Sequence, residues 1–360
     1  MATRRALVTG GAGFIAGHLA CSLLADGWTV TAFDSLLEQV HAEGRRPASL
    51  DSAVDLVVGD VRDGEAVRAV VDAGPWDLVV HLAAETGTGQ SLDESTRHAS
   101  VNVVGTTTLL DAFTAAGSVP GHLVLASSRA VYGEGQWRDA AGRVMNPGQR
   151  THEQLAEGVW DPRDEDGGLL TPLPHAAAST VPAPTSVYGA TKLAQEHVLG
   201  AWCGARGVPL SMLRLQNVLG PGQSLTNAYT GIVVLFSRLA RAGRAIPLYE
   251  DGAVVRDFVH VGDVVDALLA AITQPPLVRR TADVGSGRAT TILDVATALA
   301  SRHGAPAPVV TGQFRDGDVR AAWADVRGIE AELGWQPSRT LAQGLDDLEA
   351  WIAETEASPR

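Results

Sequence analysis

Cysteine is nearly missing from this chain. Only Cys21 and Cys203 occur in 360 residues, far apart and without partners at ligand-like spacing, which excludes a disulfide framework and a cysteine-type zinc site. No metal is expected. Positive charge is also scarce: 28 lysines and arginines against 41 aspartates and glutamates leave a formal charge of −13. Duplex-binding surfaces rest on lysine and arginine neutralising phosphates, so no nucleic-acid partner is expected, although a local basic pocket for one small phosphate ester remains compatible. No stretch approaches the ~18 unbroken apolar residues of a membrane span. The first residues run directly into the strand-like ALVTG, with no basic leader and cleavage site. The expectation is a cytoplasmic protein in a reducing compartment, with no membrane partner.

What the chain does have is a regular alternation. Apolar, β-branched runs stand at 6–10, 29–34, 55–60, 77–84, 122–128 and 209–217, and segments of helical period between them at about 13–26, 63–73, 95–116 and 187–205. Short apolar strands separated by helices imply parallel pairing with helices on both faces, because a parallel strand needs a long crossover. The fold class expected is α/β, a doubly wound parallel sheet. A polar, glycine- and acid-rich stretch at 134–182 is too long for a plain connection and reads as a functional lid or a semi-ordered excursion. Beyond 217 the signals change to loops, short helices and isolated strands. The division expected is 1–217 with 257–274 in the sheet domain, and 218–256 with 275–360 in a smaller C-terminal lobe.

The turn VTGGAGFIAGHL follows the first strand and opens a helix, with Gly10 and Gly13 three apart and Phe14 and Ile15 behind them. Such a turn lets backbone approach a pyrophosphate and aims a helix N-terminus at it, the Rossmann-type arrangement. A glycine-rich turn made only for tight packing is the bland alternative. The next strand ends at Asp34, about 20 residues on, where a carboxylate takes both ribose hydroxyls of an adenine dinucleotide and repels a 2′-phosphate. NAD is therefore favoured over NADP. The third small position of the turn is Ala16 with Gly17 behind it, a departure in helix packing.

In SVYGATK, Tyr188 and Lys192 stand four apart on one helical face. A phenol with a pKa near 10 is a poor base at neutral pH; an adjacent ammonium stabilises the phenolate and also reaches a cofactor ribose. A solvated helical pair is the bland alternative. The fifth strand ends in Ser127 and Ser128, at the strand ends where such sheets bind ligands, and one hydroxyl can share a substrate oxygen with Tyr188. Both serines could equally cap the strand.

T-G-G-x-G-F-I, GDVRD, HLAA, SSRAVYG, Y-G-A-T-K, LRLQNVLGPGQ, RDFVHVGDVV and GDVRAAWAD, in order from about 5 to 350, together resemble the extended short-chain dehydrogenase/reductase family, in particular its nucleotide-sugar epimerases and dehydratases. The resemblance implies that Tyr188 is the acid/base, that Lys192 tunes it and holds the ribose, and that Ser128 assists at the sugar hydroxyl. It implies that Asp60 and Val61 meet the adenine and that Leu82, Ala83 and Ala84 line the dinucleotide. Asn217, Arg256, Arg315 and Asp318 match positions around the nucleotide diphosphate or its ribose, a role that suits the arginine fork. Glu85, Arg129 and the insertion are candidates for contacts to the sugar.

The same resemblance narrows the reaction. Dehydratases carry an Asp-Glu pair directly after the active-site Ser or Thr; here those positions are Arg129 and Ala130, which disfavours 4,6-dehydration. A 4-epimerase needs only the shared parts: oxidation at C4 to a 4-keto sugar and re-reduction on the opposite face, with tightly bound NAD regenerated. FDSLLEQVH, LAAETGTGQS and GQSLTNAYTGIVVLFSRLA are most similar to bacterial epimerases acting on dTDP-6-deoxyhexoses such as dTDP-L-rhamnose. Those relatives carry C-x-x-C-like elements in the insertion; this chain has no cysteine there, which removes a zinc-knuckle reading. A net 4-ketoreductase or C4 dehydrogenase would use the same three catalytic residues, a UDP-hexose or UDP-hexuronate could be the substrate, and a non-catalytic dinucleotide-binding protein is the reading from another class. The helices at 95–116 and 187–205 are expected to pair with a second copy as a four-helix homodimer interface.

Overall fold

The computed structural model describes residues 3–41, 44–225 and 231–357; residues 226–230 of the GQSLTNAYTG motif lie outside the described residues. Its centre is a seven-stranded sheet formed by β1 (Arg5–Thr9), β2 (Thr29–Asp34), β3 (Asp55–Val58), β4 (Leu78–His81), β5 (Leu123–Ser128), β6 (Leu210–Leu215) and β7 (Arg279–Val284). Their order is β7-β6-β5-β4-β1-β2-β3, and every neighbouring pair is parallel. Alternate residues of each strand enter different cores: Ala6 and Val8 join one with Leu78, Val80 and Val124, while Leu7 joins another with Val79, Leu123 and Leu125. A period of two that is apolar on both faces requires helices on both faces. Helices α1 (Phe14–Ala25), α2 (Gly64–Asp72), α3 (Gly105–Ala115), α4 (Val187–Arg206) and α5 (Val261–Thr273) supply that cover.

Three local expectations need correction. The boundary expected at 275 puts 279–284 in the lobe, yet these residues pair with β6 from Arg279↔Leu210 to Val284↔Leu215. An edge strand needs only one flank, and Ala282 and Val284 are buried on it. The helix expected across 95–116 is interrupted by a π-helical turn at Ser100–Val104 between Ser95–Ala99 and α3. Finally, the 134–182 insertion is a folded piece rather than a semi-ordered one. Trp137–Arg138 pairs antiparallel with Val144–Met145 and with Thr171–Pro172, over a small core of Trp137, Leu170 and Ala321.

The C-terminal lobe has its own core, in which Val233, Phe236 and Ala240 of Ile232–Arg241 meet Val295 and Leu299 of Ile292–His303 and Leu345, Leu348 and Ile352 of Leu341–Ala357. Asn217–Leu219 pairs with Phe258–His260, and Leu219 and Phe258 add to the lobe core, so this short ladder joins the end of β6 to the foot of the lobe. The lobe is thus entered from the C-terminal end of β6, on the side of the parallel strands' tips.

Candidate active site

The glycine turn after β1 is shaped by close backbone approach. Gly10 has φ +64°, and a Cβ there would lie 2.6 Å from the Ala83 nitrogen; one on Gly11 would lie 2.5 Å from the Ala32 Cβ. Gly13 is the N-cap of α1 and carries no side-chain cap, so Phe14 and Ile15 open a helix whose first N–H groups are free of side-chain partners. Asp34, at the tip of β2, accepts from the Ala12 N–H at 3.0 Å and the Leu36 N–H at 2.8 Å, with lone pairs left for ribose hydroxyls. Leu82 donates its N–H to the Thr9 carbonyl at 3.0 Å, which sets Leu82, Ala83 and Ala84 beside the turn. Bare backbone, a helix start and a carboxylate at the second strand tip fit an adenine dinucleotide. Val61 is buried, and the Asp60 carboxylate is engaged by Arg62 at 2.6 Å, which lowers its pKa.

The second half of the site is made where α4 begins. Ser186 caps it by accepting from the Gly189 N–H at 3.1 Å, and a Cβ on Gly189 would stand 2.3 Å from the Ala130 carbonyl oxygen. Glycine there lets α4 press onto the 3-10 turn Arg129–Tyr132, which brings Tyr188 against Ser128. The Ser128 hydroxyl accepts from the Ala130 N–H at 3.1 Å and faces the phenol. Burial raises the Tyr188 pKa, and Ser128 followed by the Arg129 charge lowers it. Lys192 is buried; burial pushes its ammonium down to about 7 against the opposing pull of Glu196. Its field is felt at His81, held at about 3 by burial and then by Lys192. The groups that ease ionisation of the phenol in the structure include Ser128 and Arg129.

Beneath the site lies a buried network that sequence reading missed. Ser127, on the opposite strand face from Ser128, donates to Glu196 at 2.6 Å. Glu196 accepts a fork from Arg214 at 2.9 and 2.6 Å, and Arg214 also donates to the Tyr132 hydroxyl at 2.8 Å, which donates to Asp283 at 2.8 Å. Burial pushes Asp283 up to about 7. The signal was the spacing Tyr188, Lys192, Glu196, three positions four apart on one helix face. The π-helical turn has a similar purpose: Asn102 holds the Glu85 N–H at 2.8 Å, the Glu85 carbonyl at 3.0 Å and the Thr191 hydroxyl at 2.9 Å, tying the loop after β4 to α4.

Of the residues expected around the substrate, Arg256 and Asp318 meet at 2.6 Å. Asn217 pairs with Phe258, its N–H on the carbonyl of Asp257, the residue after Arg256, at 3.0 Å. Arg315 stacks over the Tyr249 ring, 5.0 Å from its centroid, and Glu85 is held by Arg97 at 2.9 Å. Among the described residues no group of three or more His, Cys, Asp or Glu could hold a metal, and no described helix is long and apolar enough to cross a membrane.

The family model described as NAD dependent epimerase/dehydratase family matches residues 6–151 and 167–285. The dTDP-L-rhamnose 4-epimerase of Burkholderia thailandensis is 53% identical over 351 residues, covering 98% of this chain and 95% of that enzyme. Among solved structures, the UDP-glucose 4-epimerase of Thermotoga maritima with UDP-glucose superposes with a TM-score of 0.77 at 27% identity, over 98% of this chain and 99% of the other. That of Thermus thermophilus, in complex with NAD, has a TM-score of 0.75 at 29% identity, over 97% and 99%.

Proposed function

The chain belongs to the NAD-dependent epimerase/dehydratase family, and from that premise we propose that it is a nucleotide-sugar 4-epimerase acting on a dTDP-6-deoxyhexose such as dTDP-L-rhamnose. The observation that carries this reading is the Ser128–Tyr188 pair at the strand tips, with Arg129 and Ala130 where a dehydrating enzyme would need carboxylates.

Gly10, Gly13, Phe14, Ile15, Asp34, Asp60, Val61 and Leu82 to Ala84 hold the dinucleotide, and Lys192 reaches its ribose. Bound NAD supplies the acceptor and donor for the hydrogen carried on C4. Tyr188 takes the C4 hydroxyl proton at its phenolic oxygen and returns it after the 4-keto sugar has turned over; Ser128 orients that same oxygen. A base pre-aligned in this way contributes on the order of 10²–10⁴-fold to the rate. Arg256, Arg315, Asp318 and Asn217 hold the nucleotide diphosphate and its ribose, and Glu85 faces the sugar. We assign residues 1–217, 257–274 and the β7 strand to the cofactor domain and the remainder of the C-terminal part to the substrate lobe. The half-exposed Val104, just before α3, supports a homodimer through α3 and α4, and the unpaired Cys21 and Cys203 fit a reducing, cytoplasmic location.

Incubating the purified protein with dTDP-L-rhamnose and a panel of dTDP- and UDP-hexoses, without added cofactor, tests the reading by proton NMR. An inverted C4 signal at catalytic turnover is expected. Conversion only with stoichiometric NADH would identify a reductase instead.

A further inference from the structure

Arg129 follows Ser128 directly and opens the turn that packs against the start of α4. It is partly buried, yet it donates no hydrogen bond to, and forms no ion pair with, any described residue. The neighbouring arginines are all matched: Arg150 with Glu134 and Glu250, Arg214 with Glu196, Arg320 with Glu250 and Asp251, and Arg256 with Asp318. The carboxylates whose fields reach Arg129 are Asp318 and Glu134. The first is taken by Arg256 at 2.6 Å. The second is taken by Arg150 at 3.0 Å and by the Arg320 N–H at 2.9 Å. Arg129 thus feels the charge of a second guanidinium, that of Arg256, with its own donors unanswered. A guanidinium drawn out of water without a counter-charge is costly, and a neutral hydroxyl does not supply one.

Resting on the 4-epimerase reading, we propose that Arg129 binds the sugar-bearing phosphate of the nucleotide-sugar diphosphate. Arg129 follows Ser128 and opens the turn whose Ala130 carbonyl meets Gly189, the residue after Tyr188, and the Arg256 charge acts on its side chain, so it lies near both the C4 end of the hexose and the arginine assigned to the diphosphate. The substrate atoms spanning that interval are the distal phosphate and the near edge of the ring, and of these the phosphate carries the charge. The planar fork of arginine grips two phosphate oxygens at once. An anchored distal phosphate also gives the 4-keto ring a fixed point about which to turn without leaving the cleft. Arg129 remains a cation at neutral pH even though burial lowers its pKa to about 10.

Calorimetry with dTDP and dTMP on the protein carrying its bound NAD tests this assignment, because only the diphosphate has the distal phosphate. Arg129→Met is expected to weaken dTDP on the order of tenfold to a hundredfold while changing dTMP less than about twofold. Arg129→Lys should recover part of the loss, since a point charge replaces the fork. Equal weakening of both ligands, or of neither, in a variant with unchanged NAD content and thermal midpoint overturns the assignment. A wild-type protein that binds neither dTDP nor UDP refutes the 4-epimerase reading itself, an outcome distinct from an unaltered Arg129→Met variant.

Discussion

Tyr188 has to yield its proton where burial opposes the charged phenolate, so each neighbour that favours ionisation matters. Tyr188→Phe removes one oxygen and keeps the ring, and the Ser128 hydroxyl retains its bond from the Ala130 N–H. The expected result is a fall in kcat on the order of 10²–10⁴-fold, with the thermal midpoint within about 3 °C and dTDP affinity unchanged; NMR time courses and calorimetry check each part. Ser128→Ala takes away the first of the groups that lower the phenol. With a higher phenol pKa, less base is available at a given pH, so the acid limb of kcat/KM moves to higher pH. A limb that stays in place would mean the serine acts on the sugar alone.

At the scale of elements the insertion is the most informative piece, because its hold on the rest of the molecule is ionic and buried. All five donors of Arg150 are used: on Glu134, on the Trp160 and Asp318 carbonyls, and on both oxygens of Glu250. These partners come from the insertion and from the lobe. Arg150→Met leaves the buried Glu134 without its counter-charge and Glu250 with Arg320 alone, at a cost of about 3–5 kcal/mol. Limited proteolysis should then cut within 138–170 before the sheet unfolds, and urea midpoints give the magnitude. The contrast with the sheet explains what the sequence discloses. The first six strands are legible because each is a short apolar, β-branched run, buried on both faces in all but the edge strand β3, and Tyr188 with Lys192 because helical spacing is local. The strand at 279–284 begins Arg-Arg and lies at an edge, so its composition resembles loop. The insertion's ladders join residues 137 and 172, and Arg150 meets Glu250 across one hundred positions; no periodicity announces such pairs. Arg129 was visible as a departure after Ser128, but only the folded cleft reveals that its charge is unmatched.

For the whole molecule the relevant charge is inside. His175 has both ring nitrogens buried without partners, its ring packs 4.6 Å from that of Tyr132, and Gly135 backbone covers its Nε2 so closely that a Cβ there would be 2.4 Å away. Burial first, then Arg129, Arg256 and Arg214, hold its pKa at about 3. A free histidine titrates near 6.5, so the unfolded chain binds a proton that the folded chain refuses across this interval. The folded pKa is the lower one; the stability tied to neutral His175 is therefore complete above about pH 6.5 and is lost as pH falls toward 3. His175→Gln removes this term whatever it does to packing. The difference in unfolding free energy between wild type and variant should move by about 2 kcal/mol in the variant's favour on going from pH 7 to pH 5. Urea titrations of both proteins at the two pH values measure it, and the comparison cancels the many carboxylates that titrate alike in each. An unchanged difference would show that the ring is protonated in the native state, which would require an anion beside it in the cluster formed by Arg129, Arg256 and Arg214.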